Sequence, residues 1–157
     1  MNTLVRFLTQ ATAVTVLALV AVVASAAELT TQDYIDIEQL YATYNHAIDA
    51  GDGEAWAATF TPDGTFNRFA GKDALVGFIR TWREKMNGAT RRHWNSNLSI
   101  TPSADGANGK VMLMLLDVGT TPPAIASTGQ YTDVLVKTPA GWRFKSRQVK
   151  GDAPPKP

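Results

Sequence analysis

The amino-acid sequence predicts a single α+β domain: helices come first, then a run of antiparallel strands, with the helices on one face of a curved sheet. Three observations carry this. Residues 31–86 hold apolar side chains at helical spacing. From residue 91 onward the period changes to that of strands. Turn-forming clusters then separate those strands at hairpin intervals. The length, 157 residues, fits one domain, and with no cysteine in the chain it folds without disulfides.

The first stretch reads as a segment outside the fold. Arg6 supplies a positive start, Ala11 to Val23 is an almost unbroken apolar run, and Ala24-Ser25-Ala26 has the pattern of a cleavage site. Residues 1–26 therefore read as an export signal. The apolar run is shorter than the roughly 20 residues of a membrane span. Residues 27–150 remain as the domain and 151–157, rich in proline, as a disordered tail. The expected location is periplasmic or secreted, with no membrane attachment after cleavage. Arg6 is the only charged residue among 1–26, so the mature domain has equal numbers of acidic and basic residues. That balance gives no long-range attraction to nucleic acid or to an anionic membrane.

The first helix spans Thr31 to Ala50, with Thr30 as cap, Asp33 three residues on, and Gly51 as stop. Ile37, Leu40, Tyr41, Tyr44 and Ile48 form its apolar stripe. A second helix, capped by Asp52, is expected from Gly53 to Phe60, followed by the turn Pro62-Asp63-Gly64 and a strand from Thr65 to Phe69. Helix three, Lys72 to Met86, buries Leu75, Phe78, Ile79, Trp82 and Met86. Strands are then expected at Arg91–Thr101, Val111–Val118, Ser127–Lys137 and Trp142–Val149. Loops are expected at Ser103–Gly109 and Gly119–Pro123, and a hairpin turn at Thr138–Gly141. The near-continuous apolar run of the second strand reads as a central strand buried on both faces.

Few side chains suit catalysis. His46 lies opposite the centre of the first helix's apolar stripe and reads as a solvated surface histidine. Asp49 sits at the border of that stripe in the last helical turn, where a carboxylate opposes the helix dipole by ~0.3–1 kcal/mol. It is either an ordinary exposed aspartate or one with a partner elsewhere. His93 opens a strand in which His93, Asn95, Asn97 and Ser99 alternate with Trp94, Ser96, Leu98 and Ile100. The polar set lines either a pocket wall or an exposed edge. The apolar set claims the core side, so a pocket reading requires a bulge near Asn95 or an outer face buried in an oligomer. Gly71-Lys72-Asp73 lacks the glycine spacing and hydroxyl of a phosphate loop. Two histidines without an acidic cluster do not make a metal site. Arg91-Arg92 read as solvated cations.

The order of elements, with Ile37-Glu38-Gln39-Leu40-Tyr41, Asp49-Ala50-Gly51-Asp52, Phe60-Thr61-Pro62-Asp63-Gly64, His93-Trp94-Asn95-Ser96-Asn97, Gly129-Gln130-Tyr131-Thr132-Asp133 and Gly141-Trp142-Arg143-Phe144, resembles the SnoaL-like domains of the nuclear transport factor 2-like superfamily. The resemblance covers Thr31 to Val149 and is closest to the branch of scytalone dehydratase and hexachlorocyclohexane dehydrochlorinase. It implies a cone-shaped roll of three N-terminal helices on a strongly curved, mostly antiparallel sheet enclosing a pocket, frequent homodimers or homotrimers, and no cofactor. It also implies a catalytic pair at Asp49 and His93. Tyr44, Phe66, Met112, Met114 and Tyr131 would form the pocket wall, with Asn97 as a polar anchor. The chain departs from that branch at Ile48, where the dehydratase has tyrosine, and at Tyr44, where the dehydrochlorinase has lysine. No second histidine follows His93.

The function expected on this reading is proton abstraction from a small apolar substrate by His93, oriented by Asp49, giving elimination, dehydration or isomerisation. General-base help of this kind contributes about 10²–10⁴-fold. The alternatives are a module that binds a small hydrophobic ligand without turnover, and an assembly role with a vestigial pocket.

Overall fold

A computed structural model describes residues 28–153. Residues 1–27, which include the segment expected to be an export signal, and residues 154–157 of the expected tail lie outside the described residues. Helix α1 (Thr31–Ala50) begins with a capping box: the Thr30 hydroxyl accepts from the Asp33 N–H, and the Asp33 carboxylate accepts from the Thr30 N–H at 2.9 Å. It ends at Gly51, whose φ of 71° needs a residue without Cβ strain.

Helix α2 (Gly53–Ala57) is shorter than expected, because Phe60 leaves it for strand β1 (Phe60–Phe66). Pro62-Asp63-Gly64 is accordingly an irregular stretch within β1, and not a free turn. A turn at Asn67 leads to β2 (Phe69–Ala70), and α3 (Lys72–Met86) follows as expected. The three helices therefore do not all precede the sheet: a short hairpin separates the second from the third.

Strands β3 (Arg91–Ser103), β4 (Gly106–Asp117), β5 (Ala124–Thr138) and β6 (Gly141–Gly151) complete a six-stranded sheet in the order β2-β1-β6-β5-β4-β3. β1 runs parallel to β6 and the other neighbours are antiparallel. Two expected boundaries move. The loop at Ser103–Gly109 shrinks to a tight turn, because Gly106 already pairs with Ser103. Gly151, assigned above to the tail, pairs with Gly129 in the sheet. β4 is not buried on both faces. Val111 and Leu113 face the core, while Met112 and Met114 lie on the open face.

The space between helices and sheet is filled with rings. Tyr44 and Trp56 are completely buried, and Phe60, Phe66 and Phe144 pack against or beside them. Among them lies a buried ion pair. Arg147 donates from Nε and Nη2 to the two oxygens of Asp133, both at 2.7 Å, and the Tyr41 hydroxyl donates to the same carboxylate. The rings of Tyr41, Tyr44, Tyr131 and Phe144 surround the guanidinium at 4.0–4.6 Å, a cation–π arrangement. Gly109 leaves room for this: a Cβ there would stand 2.1 Å from the Tyr41 hydroxyl. Burial raises the Tyr41 hydroxyl's pKa well above the ordinary phenol value, with the Asp133 charge adding to the rise, so it remains a donor.

Arg147→Met would leave the Asp133 charge buried with only Tyr41 to meet it. The expected loss is about 3–5 kcal/mol of unfolding free energy, read as a lowered midpoint in urea with an unchanged slope.

Candidate active site

Helix α1 carries two stripes. One, from Ile37 through Tyr44 to Ile48, enters the core. The second is Ala42, Asn45, His46, Asp49 and Ala50, at the i, i+3, i+4, i+7, i+8 spacing of a helix face. It forms one wall of an open groove of about 820 Å³, whose other wall is the start of β3 and Met114 of β4. The two alanines keep the ends of the wall low, and the polar side chains lie between them.

Asp49 joins the walls. One of its carboxylate oxygens lies 2.6 Å from His93 Nδ1, and both accept from the His93 backbone N–H, at 3.1 and 3.2 Å. That N–H is available because β3 is the sheet's edge strand. A carboxylate can only accept, so Nδ1 carries a hydrogen, and in the neutral ring the lone pair is on Nε2. No described residue hydrogen-bonds Nε2. The His93 side chain is 5% exposed, and the Trp82 ring packs beside it with centroids 5.9 Å apart.

The parity conflict within β3 is resolved by a bulge. Ser96 pairs with Met112 and Ser99 with Lys110, so Asn97 and Leu98 together face Val111. Asn97 takes the left-handed conformation, φ 55°, that asparagine tolerates better than most residues. Before the bulge His93 and Asn95 turn inward while Trp94 and Ser96 turn outward. After it, Leu98 and Ile100 pack against the core.

Several expected site residues are placed elsewhere. Asn97 is exposed in the bulge and does not anchor the groove. Asn95 holds the inward position instead, donating to Asn45 Oδ1 at 3.2 Å. Tyr44, Phe66 and Tyr131 are core residues, at 0%, 4% and 2% exposure, and line no open wall. Large aromatic side chains that fit a pocket wall also fit a closed core, and here the core takes them. Met114 does line the groove, whereas Met112 sits beyond it on the open face under the Gln130 amide.

Asn45 has no role in the sequence reading, which places His46 and Arg92 in solvent, where they are, and Trp94 on the core side, where it is not; all four line the groove. The second α1 stripe, small-polar-polar-polar-small at helical spacing, was the available signal for the first two. Among the described residues, no group of three or more His, Asp or Glu is placed to hold a metal ion.

The SnoaL-like domain model matches residues 29–148. The chain belongs to the SnoaL-like domain family. An uncharacterized protein of Mycobacterium tuberculosis, Rv2910c, is 28% identical over 121 residues, covering 73% of this chain and 82% of the relative. Among solved structures, a Nostoc punctiforme protein of unknown function with a cystatin-like fold superposes with a TM-score of 0.70 at 26% identity, over 80% of this chain and 96% of that one. A candidate scytalone dehydratase from Novosphingobium aromaticivorans superposes with a TM-score of 0.63 at 25% identity, over 79% and 89%. The expected superfamily and the curved, mixed sheet of this fold therefore hold.

The geometry fixes a tautomer. Long-range ¹⁵N–¹H spectra of the wild type at mildly alkaline pH should show His93 protonated at Nδ1. In Asp49→Ala the population should move toward the Nε2–H form. An Nε2–H wild type would contradict the hydrogen-bond assignment.

Proposed function

We propose that this SnoaL-like protein is an exported, cofactor-independent lyase or isomerase in which His93 takes a proton from a carbon beside a carbonyl. The observation that carries this reading is the single carboxylate of Asp49, which holds both the backbone N–H and Nδ1 of His93. A ring held this way presents one basic nitrogen and has a counter-charge in place for the imidazolium that forms. The candidate scytalone dehydratase among the structural neighbours supports the dehydratase-like branch of the family.

The substrate is a small molecule with an apolar body: Trp94, 65% exposed, and Met114 offer it a flat apolar surface at the groove. The alternative, a non-catalytic module for a small hydrophobic ligand, would use the same groove, because the interior is packed with rings. Self-association into a homodimer or homotrimer is supported by the open sheet face, where Trp94, Met112 and Met114 are exposed together. Export rests on the pattern of residues 1–26.

The test is deuterium exchange. Propiophenone and a panel of cyclic ketones are incubated with the protein in D₂O and followed by ¹H NMR. The wild type should accelerate exchange of the hydrogens next to the carbonyl. His93→Gln should lose that acceleration by about 10²–10⁴-fold, and Asp49→Asn should also lower it, with thermal stability much less affected. Exchange at the buffer rate in the wild type, or equal rates in wild type and His93→Gln, would reject the mechanism.

A further inference from the structure

We infer that Arg92 makes the groove selective for ligands that carry a carboxylate beside their apolar body. This rests on the groove being the binding site read above and adds the charge of the molecule bound there. It does not require proton transfer by His93.

Arg91 and Arg92 are neighbours in sequence with different surroundings. Arg91 is half-buried and forms an ion pair with Asp117. Arg92 leaves β3 on the opposite face, is exposed, and forms no ion pair with a described residue. Its Nη1 donates to the Arg91 carbonyl at 2.9 Å, and its other N–H donors have no described acceptor. No ring takes it up either: among the described residues, the guanidinium groups stacked on rings are those of Arg68 and Arg147. The residues that share its side of β3 and β4, namely Trp94, Ser96, Met112, Met114 and Leu116, are uncharged. Within the groove, Asp49 is the one carboxylate among the lining residues, and both its oxygens are held by His93. Arg92 is therefore a fixed positive charge at the lip of a groove that supplies no counter-ion for it.

A guanidinium presents parallel N–H donors that match the two oxygens of a carboxylate. Trp94 stands two residues on, with its ring exposed on the same face about 6–7 Å along the strand. Met114 lies directly opposite Trp94 on β4. A ligand whose aromatic or alkyl body rests on Trp94 and Met114 can reach Arg92 with a carboxylate on a short chain. The apolar body also displaces water from beside the guanidinium, and a charge pair is stronger where water is excluded. A small inorganic anion would meet Arg92 alone and gain nothing from the ring. The domain as a whole is neutral, so this preference is local to the groove and is not a general attraction for anions.

The test titrates the protein with 4-phenylbutanoate and with its uncharged counterpart 4-phenylbutanamide, following the Trp94 indole N–H by NMR. The acid should bind about tenfold more tightly than the amide, the lower end of what hydrogen bonds to a charged group contribute, since Arg92 is exposed. Arg92→Gln should bring the acid down to the amide's affinity and leave the amide close to its wild-type value. Arg92→Lys should keep only part of the preference, because an ammonium pairs as a point charge. Lys110→Gln removes a cation from the same sheet face outside the groove and should change neither Kd. Equal affinities for acid and amide in the wild type would overturn the assignment. So would no response of Trp94 to either compound, or a loss in Lys110→Gln as large as that in Arg92→Gln. Carboxylate-selective binding together with propiophenone exchange at the buffer rate would uphold Arg92 and reject only proton abstraction by His93.

Discussion

The carboxylate of Asp49 is the constraint on which the site depends. It sits in the last turn of α1, a helix with no basic residue there, where the dipole opposes it by ~0.3–1 kcal/mol. Two hydrogen bonds from His93 outweigh this, since bonds to a charged acceptor contribute about 1.5–3 kcal/mol each. The same contacts have three consequences. They pin the edge strand to the first helix, occupy an edge N–H that another chain would otherwise find open, and set which ring nitrogen keeps its lone pair. Position, edge protection and tautomer thus come from one side chain, and a change at Asp49 would disturb all three.

The bulge at Asn97 makes this compatible with a packed core. On an unbroken strand, a His93 turned toward α1 would put Leu98 and Ile100 on the open face. One extra residue reverses the alternation, so that polar groups face inward before it and apolar groups after it. Trp94 pays for this by moving outward, and its exposed ring becomes part of the groove. The site is therefore built at the rim, where α1 meets the sheet edge, and the centre of the roll is closed by aromatic packing around Arg147.

The sequence made some of this readable and hid the rest for physical reasons. Helix α3 and the first cap of α1 follow from periodicity and from Thr30 with Asp33, both local signals. The parity conflict in β3 was visible, with a bulge near Asn95 or an outer face buried in an oligomer as its two resolutions. The bulge falls at Asn97 and Leu98, which the sequence does not mark, because asparagine tolerates the left-handed region without demanding it. Tyr44 and Tyr131 could not be divided between wall and core by residue type, since rings serve both. Arg147 gave no warning of its burial, because a charged residue in a strand ordinarily marks the solvent face, and only the fold brings Asp133 opposite it. His46 is exposed, as its position opposite the apolar stripe implies, and its place on the groove wall follows from the second stripe of α1, which it shares with Asn45 and Asp49.

The most direct measurement is amide hydrogen exchange at His93 in the native protein. Its N–H lies on an edge strand with no neighbouring strand to receive it, so its protection depends on Asp49. The account predicts slow exchange in the wild type and fast exchange in Asp49→Ala, with neighbouring β3–β4 amides unchanged. An amide that exchanges freely in the wild type would show that the carboxylate does not hold the strand, and the orientation of the His93 ring would lose its cause.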